Sequence, residues 1–198
     1  TGGIRIDAVT LVLVFSIVLL GLVMVTSASM SIADKESGNA FLYLERQLAL
    51  TLIGVILAGC VFCVPTAILE KLQWPLFIAA VVLLVAVLIP GVGHVVNGSR
   101  RWIRLAGFNF QASELARVLV LVFIAGYAVR REDELRTSLA GLAKPMGLLF
   151  FVSILLLAQP DFGASVVLTC TGFGVLFLAG ARMRYVLGGA AVLGAAMA

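Results

Sequence analysis

AVTLVLVFSIVLLGLVMV, residues 8–25, decides what kind of protein this is. The run carries no charge and is longer than the 7–15 residues of a secretory signal core. VTSAS, which begins at Val25, resembles a small-residue cleavage site, yet the length of the run predicts a retained membrane helix. Asp7, directly before it, is placed to cap that helix at its N-terminus.

The rest of the chain has the same character. Hydrophobic residues make up 62% and charged residues 12%, with a mean hydropathy of +1.16. A soluble domain has about 45–50% apolar and about 25% charged residues, so this composition belongs to an integral membrane protein. Apolar runs near 47–64, 74–90, 112–129, 146–158, 162–180 and 184–198 join the one at 8–29 to give up to seven spans. The fold class expected is all-α: a polytopic transmembrane helical bundle, because an open sheet would leave backbone groups unpaired in hydrocarbon. Residues 1–198 read as a single integral-membrane domain. The sequence begins at Thr1 and stops at Ala198 inside an apolar run, which predicts a fragment at both ends.

Several chemistries are not indicated. No phosphate-binding glycine loop, zinc-ligand spacing or Ser-His-Asp set is visible, and nothing points to nucleic acid. His94 is the sole histidine and has no partner for a metal site. Cys60 and Cys63 share one helix face inside an apolar run, where small side chains serve packing, and Cys170 is read the same way.

With these spans, the basic residues of the loops divide unevenly between two sides. Arg5, Lys71, Arg130, Arg131, Arg136, Lys144, Arg182 and Arg184 lie on one side; Lys35, Arg46, Arg100, Arg101 and Arg104 lie on the other; Arg117 falls within a span. The excess places the N-terminus in the cytoplasm. Residues 91–110 then lie on the extracytoplasmic face, where Arg100, Arg101 and Arg104 crowd around Trp102 in NGSRRWIRLAGFNF. Two readings stay open for them: contact with lipid head groups beside an interfacial tryptophan, or capture of an anionic ligand. Asn97-Gly98 is a turn signal, and the stretch is apolar enough to fold back against the bundle.

The fourth span opens QASELARV. Glu114 and Arg117, three apart, face the same way, with Gln111 on that side too. They predict either an ion pair that pins the helix to its neighbours or a direct role toward substrate. The fifth span holds only a short apolar run between Pro145 and Pro160, so it must borrow length from SLAGLAK or be broken. It ends in QPDFGAS, where Asp161 is placed either to cap the next helix or to meet a ligand. The mixed-charge loop at 130–145 reads as an amphipathic or solvated connector, and the many glycines as sites of close helix packing.

NGSRRWI, QASELARV, LRTSLAGLAKP, and LLLAQPDFGASVV followed by LFLAGA, in that order, closely resemble the first half of the SEDS family, the shape, elongation, division and sporulation membrane proteins, and in particular its cell-division members. The family's Gly-x-x-Arg-Trp-Ile falls on Gly98, Arg101, Trp102 and Ile103, and its Gln-Pro-Ser-Glu on Gln111, Ala112, Ser113 and Glu114. Its following lysine falls on Arg117, its Lys-Pro on Lys144 and Pro145, and its Pro-Asp on Pro160 and Asp161. Ala112 in place of proline and Arg117 in place of lysine are departures; the first bears on the angle at which the fourth span begins.

The resemblance implies a ten-helix peptidoglycan glycosyltransferase of the bacterial inner membrane that polymerises lipid II at the outer face during septal wall synthesis. Lipid II is a disaccharide-peptide on undecaprenyl pyrophosphate. It also implies a general-base aspartate in a loop after the seventh span, beyond residue 198, so no catalytic residue is assigned within the chain. Substrate-binding candidates are Asn97, Gly98, Arg100, Arg101, Trp102, Gln111, Ser113, Glu114, Arg117 and Asp161. Partners implied are a class B penicillin-binding protein, which is an FtsI-like transpeptidase, other division-complex membrane proteins and membrane lipids. No cofactor is identified, and a divalent cation is compatible with the reading. A lipid II flippase is the rival reading, and a pure division scaffold the third.

Overall fold

A computed structural model describes residues 7–37, 39, 41–96, 99–105, 108–181, 185, 188 and 189. The chain divides into two compact units, residues 1–64 and 65–198.

The first unit pairs helices α1 (Ala8–Ser37) and α2 (Leu42–Phe62). Asp7 caps α1 as its position predicted: its carboxylate accepts from the Val9 backbone N–H at 3.0 Å and the Thr10 hydroxyl at 2.6 Å. The Thr10 hydroxyl and then the Val9 N–H hold the Asp7 carboxyl below the usual carboxylate range. No residue of the spanning part, Ala8–Met30, is buried in the unit, a placement that suits lipid rather than water. Its hydroxyls find acceptors within the helix: Ser16, Thr26 and Ser29 each donate to the carbonyl four residues back at 2.7 Å.

The second unit contains α3 (Thr66–Lys71), α4 (Gln73–Leu88), β1 (His94–Val96), β2 (Ser99–Leu105), β3 (Phe108–Gln111), α5 (Ala112–Arg130), α6 (Glu132–Thr137), α7 (Leu139–Leu157) and α8 (Phe162–Leu178). Among the described residues, four helices are long and apolar enough to cross a membrane: Ala8–Met30, Leu42–Phe62, Ala112–Arg130 and Ala140–Leu157. Gln73–Leu88 and Phe162–Leu178 are shorter apolar helices. Six of the seven expected spans are therefore helices; most of the seventh, at 184–198, lies outside the described residues.

The interior of this unit lies among α4, α5, α7 and α8. On α5, Ala116, Val120, Phe123, Ile124 and Tyr127 follow helical spacing and are buried together with Leu84 of α4, Leu149 and Val152 of α7 and Leu168 of α8. Phe123 stacks at its edge against Trp74 at 4.9 Å between ring centroids and tilts against Phe77 at 4.7 Å. In lipid, contacts of this kind hold helices together through close packing and buried hydrogen bonds. Gly172 shows the closeness, since a Cβ there would lie 2.8 Å from the Leu149 methyls.

The fifth span resolves the alternatives for its length. It borrows: α7 starts at Leu139 and continues through Pro145, with Lys144 exposed, to Leu157. An interior proline removes one N–H from the helix ladder, here the one that would reach the carbonyl of Gly141. Tyr127 of α5 replaces it, its hydroxyl donating to the Gly141 carbonyl at 3.0 Å. Tyr127→Phe is expected to cost about 1 kcal/mol. In a Pro145→Ala background, where the helix supplies its own N–H, less than half of that cost should remain; thermal unfolding of the four proteins of this cycle checks it. An equal cost in both backgrounds would contradict the exchange of donors.

The stretch that joins α4 to α5, expected to fold back against the bundle, does so as strands. Residues 94–111 form a three-stranded antiparallel sheet in the order β1-β2-β3, with Trp102 opposite Gln111 and Ile103 opposite Phe110. Such a sheet is tolerated because it is short, packs on helix ends and makes its own ladder. Gly93 lets the chain turn back over α4, where a Cβ would lie 1.9 Å from the Val87 carbonyl oxygen.

Candidate functional site

Alternate residues of β2 turn toward the junction between α7 and α8. Ser99 donates its hydroxyl to the Gln159 carbonyl at 2.7 Å, and Arg101, two residues on, pairs through Nη1 with Asp161 Oδ1 at 3.3 Å. Asp161 is 5% exposed. Its other oxygen accepts from the Ser113 hydroxyl at 2.9 Å and from the Gln111 side-chain amide at 3.2 Å. Gln111 also donates to Ser113 Oγ at 3.0 Å. The backbone N–H of Ala164 completes the set, donating to Oδ1 at 3.2 Å, so Asp161 is the N-cap of α8. A buried carboxylate is thus satisfied by a guanidinium, two side-chain donors and the positive end of a helix.

Of the two readings of Asp161 from the sequence, the cap of α8 is seen here, and the same carboxylate also meets Arg101. Gln111, Ser113, Arg101 and Asp161 come together. Three other candidates lie apart from them. Arg100 turns the other way and donates to the Leu88 carbonyl at 3.3 Å, where a cation suits the negative end of α4. Glu114 and Arg117 form the ion pair that their spacing predicted, with Arg117 largely covered and Glu114 exposed. No hydrogen bond or ion pair among the described residues links that pair to Asp161. Trp102 is half-buried, opposite His94 on one side and Gln111 on the other. Asn97 and Gly98 lie outside the described residues. Arg104, on the same strand, is exposed and has no ion-pair partner among the described residues.

Sequence reasoning missed Ser99 and Gln159. Gln159 is completely buried and donates its side-chain amide to the Leu84 carbonyl of α4 at 2.9 Å. A glutamine at the end of an apolar run, one residue before Pro160, was the available signal. Ser99 could have been found from its two-residue spacing with Arg101 once the stretch was read as a strand.

The site can offer positive charge and hydrogen-bond donors. Arg101 spends one of its nitrogens on Asp161 and keeps 30% of its side chain exposed, while its buried Nε has no hydrogen-bond partner. A guanidinium has five N–H groups in a rigid fork, so one face can stay on a carboxylate while another meets an anion. No group of three or more His, Cys, Asp or Glu suited to a metal ion occurs among the described residues.

A polytopic helical membrane protein, with a buried acid-base cluster under a small sheet at one end of its helices, is the class defined by these features. The profile of the family described as cell cycle protein, FtsW/RodA/SpoVE, matches residues 7–198, and the chain belongs to that family. A probable peptidoglycan glycosyltransferase FtsW of Hahella chejuensis is 47% identical over 164 residues, which are 83% of this chain and 41% of that protein. The same-named protein of Legionella pneumophila is 42% identical over 175 residues, 88% of this chain and 44% of that one. The chain thus spans less than half the length of these relatives. Among solved structures, a chain from a peptidoglycan synthase complex, studied for its coordination of polymerization and crosslinking, superposes with a TM-score of 0.78 at 31% identity, covering 96% of this chain and 53% of that one. The rod shape determining protein RodA of Thermus thermophilus superposes with a TM-score of 0.68 at 30% identity, covering 88% of this chain and 57% of that one.

Proposed function

We propose that residues 1–198 are part of the membrane domain of a peptidoglycan glycosyltransferase that polymerises lipid II at the outer face of the bacterial cytoplasmic membrane during septal wall synthesis. The N-terminus is cytoplasmic in this reading, and the sheet end of the second unit faces outward. The observation that carries it is the Arg101–Asp161 pair, in which a carboxylate with four donors fixes a guanidinium that still has N–H groups to give. The relatives' names support the activity, and the synthase-complex structure supports a partner.

In the reaction, the acceptor sugar hydroxyl attacks the anomeric carbon of the lipid-linked donor. The bond to the pyrophosphate breaks, and the lipid pyrophosphate leaves with the electron pair. Arg101 stabilises the charge that develops on the leaving oxygen, because fixed positive charge counts most where charge builds in the transition state. Asp161, Ser113 and Gln111 hold that guanidinium so that it need not reorganise. Arg104 supplies an exposed second cation, Arg100 keeps the end of α4 in place beneath β2, and Trp102 packs the strand beside the sugar. The Glu114–Arg117 pair secures the outer end of α5. The proton of the acceptor hydroxyl goes to a carboxylate outside residues 1–198, a step typically worth about 10²–10⁴-fold. The partner is a class B penicillin-binding protein that crosslinks the strands.

A lipid II carrier is the second reading, and one observation bears on it. Asp161 at the N-cap of α8 and Ser165 and Thr169 on it, spaced four apart, form a buried polar stripe, and Ser153 of α7 meets Thr169 at 3.1 Å. The next positions on that face are Phe173 and Leu176, both buried and apolar, so the stripe ends partway through the helix. A carrier needs polar groups along the depth of the bundle; chemistry at one end does not. The test is direct: purified full-length protein with its partner, given fluorescent lipid II, is expected to yield a ladder of glycan chains. No chains from protein that binds lipid II would overturn the reading.

A further inference from the structure

Arg101 can serve an anion only if β2 lies in one register over Asp161; the β2–β3 ladder is regular over four pairs, whereas the β1 edge holds β2 weakly. β1 is three residues long, and its pairing with β2 shifts between His94 and Val95. A two-residue slip would keep the same face inward and put Ser99 where Arg101 belongs. The register is also referred to α4 from two directions. β2 reaches α4 through Arg100, on the Leu88 carbonyl. The α7–α8 junction reaches it through Gln159, on the Leu84 carbonyl. Leu84 and Leu88 are one helical turn apart, about 6 Å along the axis.

We infer that Gln159 is a positioning residue for substrate binding: its buried side chain ties the α7–α8 junction to α4, so that Ser99 meets the Gln159 carbonyl and Arg101 meets Asp161 in register. The inference rests on the proposed reading of Arg101 as a pyrophosphate ligand. Two features support a role for Gln159 beyond filling space. It is completely buried, where an apolar residue of similar size would pack without the cost of desolvating an amide. Its Oε1 is also buried without a hydrogen-bond partner, so its retention does not rest on complete hydrogen-bond satisfaction. What its amide does accomplish is the single bond across 75 residues of sequence to Leu84.

The test is a double-mutant cycle read as binding, with full-length protein in detergent and lipid II as the titrant. Gln159→Met keeps the volume and removes the amide; Arg101→Ala removes the anion ligand. A lost hydrogen bond that displaces a ligating group should weaken binding by up to about tenfold. Gln159→Met is expected to raise Kd about tenfold in the wild-type background and less than twofold in the Arg101→Ala background, because it acts through Arg101. Wild-type affinity in Gln159→Met, or an equal loss in both backgrounds, would overturn the inference. If Arg101→Ala binds lipid II as wild type does, the pyrophosphate reading itself is wrong, which is a different failure. Should Gln159→Met not accumulate, Gln159→Leu takes its place in the cycle: its side chain has neither donor nor acceptor, so the same coupled loss is expected, and an uncoupled one overturns the inference.

Discussion

Arg101→Ala in the full-length protein is expected to lower glycan polymerisation at least about a hundredfold, the typical cost of removing one fixed donor from a developing charge. The loss should have two parts. The leaving pyrophosphate loses a cation, and Asp161, at 5% exposure, keeps its donors Ser113, Gln111 and Ala164 N–H but loses its counter-charge. Arg101→Lys separates them. A lysine ammonium can restore charge beside Asp161 but cannot present a fork to both carboxylate and phosphate. Stability should therefore return with lysine while most of the activity does not. Chain length on gels and unfolding temperature, measured on the same preparations, read the two parts independently. Full activity in Arg101→Lys would reduce the residue to a point charge.

Asp161→Ala is expected to cost about 3 kcal/mol of stability, because breaking a buried ion pair strands its partner. The figure stands at the low end of the range for buried pairs because the Arg101 side chain is 30% exposed and can turn toward water. The same substitution removes the N-cap of α8 and the acceptor of Ser113 and Gln111, so the junctions from β3 to α5 and from α7 to α8 should loosen together. Asp161→Asn keeps an acceptor for Ser113 and for the cap and should lose roughly half as much. Hydrogen exchange at the start of α8 and of α5 locates the effect; loosening confined to α8 would mean that Asp161 only caps.

Much of this arrangement could be read in the sequence because lipid imposes few solutions. A run such as residues 8–25 has one stable form in a membrane, and six of the expected spans are helices for that reason. Asp7 and Asp161 as caps, and Glu114 with Arg117 as a pair, follow from local spacing, which needs no knowledge of distant parts of the chain. What escaped was non-local. Asn97-Gly98 was a turn signal, but apolar and basic residues are mixed through HVV, SRRWIRL and FNFQ, and no period there outweighed the helical setting. Without strands, the shared inward face of Ser99 and Arg101 was invisible, and so was the bond from Gln159 to Leu84. The start of α7 within SLAGLAK was one of the two forms that its length allowed, but what makes that form possible was not legible. Proline reads as a helix stop, and only the Tyr127 hydroxyl, supplied by another helix, makes Pro145 acceptable inside one.

The family resemblance named the chemistry, whereas the geometry changes how its residues divide the work. The arginines that stood together in sequence have separate tasks: Arg100 at the end of α4, Arg101 on Asp161, and Arg104 exposed. Strand alternation alone separates Arg100 from Arg101, since neighbours on a strand face opposite ways.

The most direct measurement follows glycan-chain growth and lipid II translocation in the same liposomes, holding full-length protein and a class B penicillin-binding partner, with wild type beside Arg101→Ala. Chain growth that the wild type supports and Arg101→Ala loses, with no translocation by either, is the predicted result. Translocation by wild type without chain growth would contradict it and make the same arginines the mouth of a carrier.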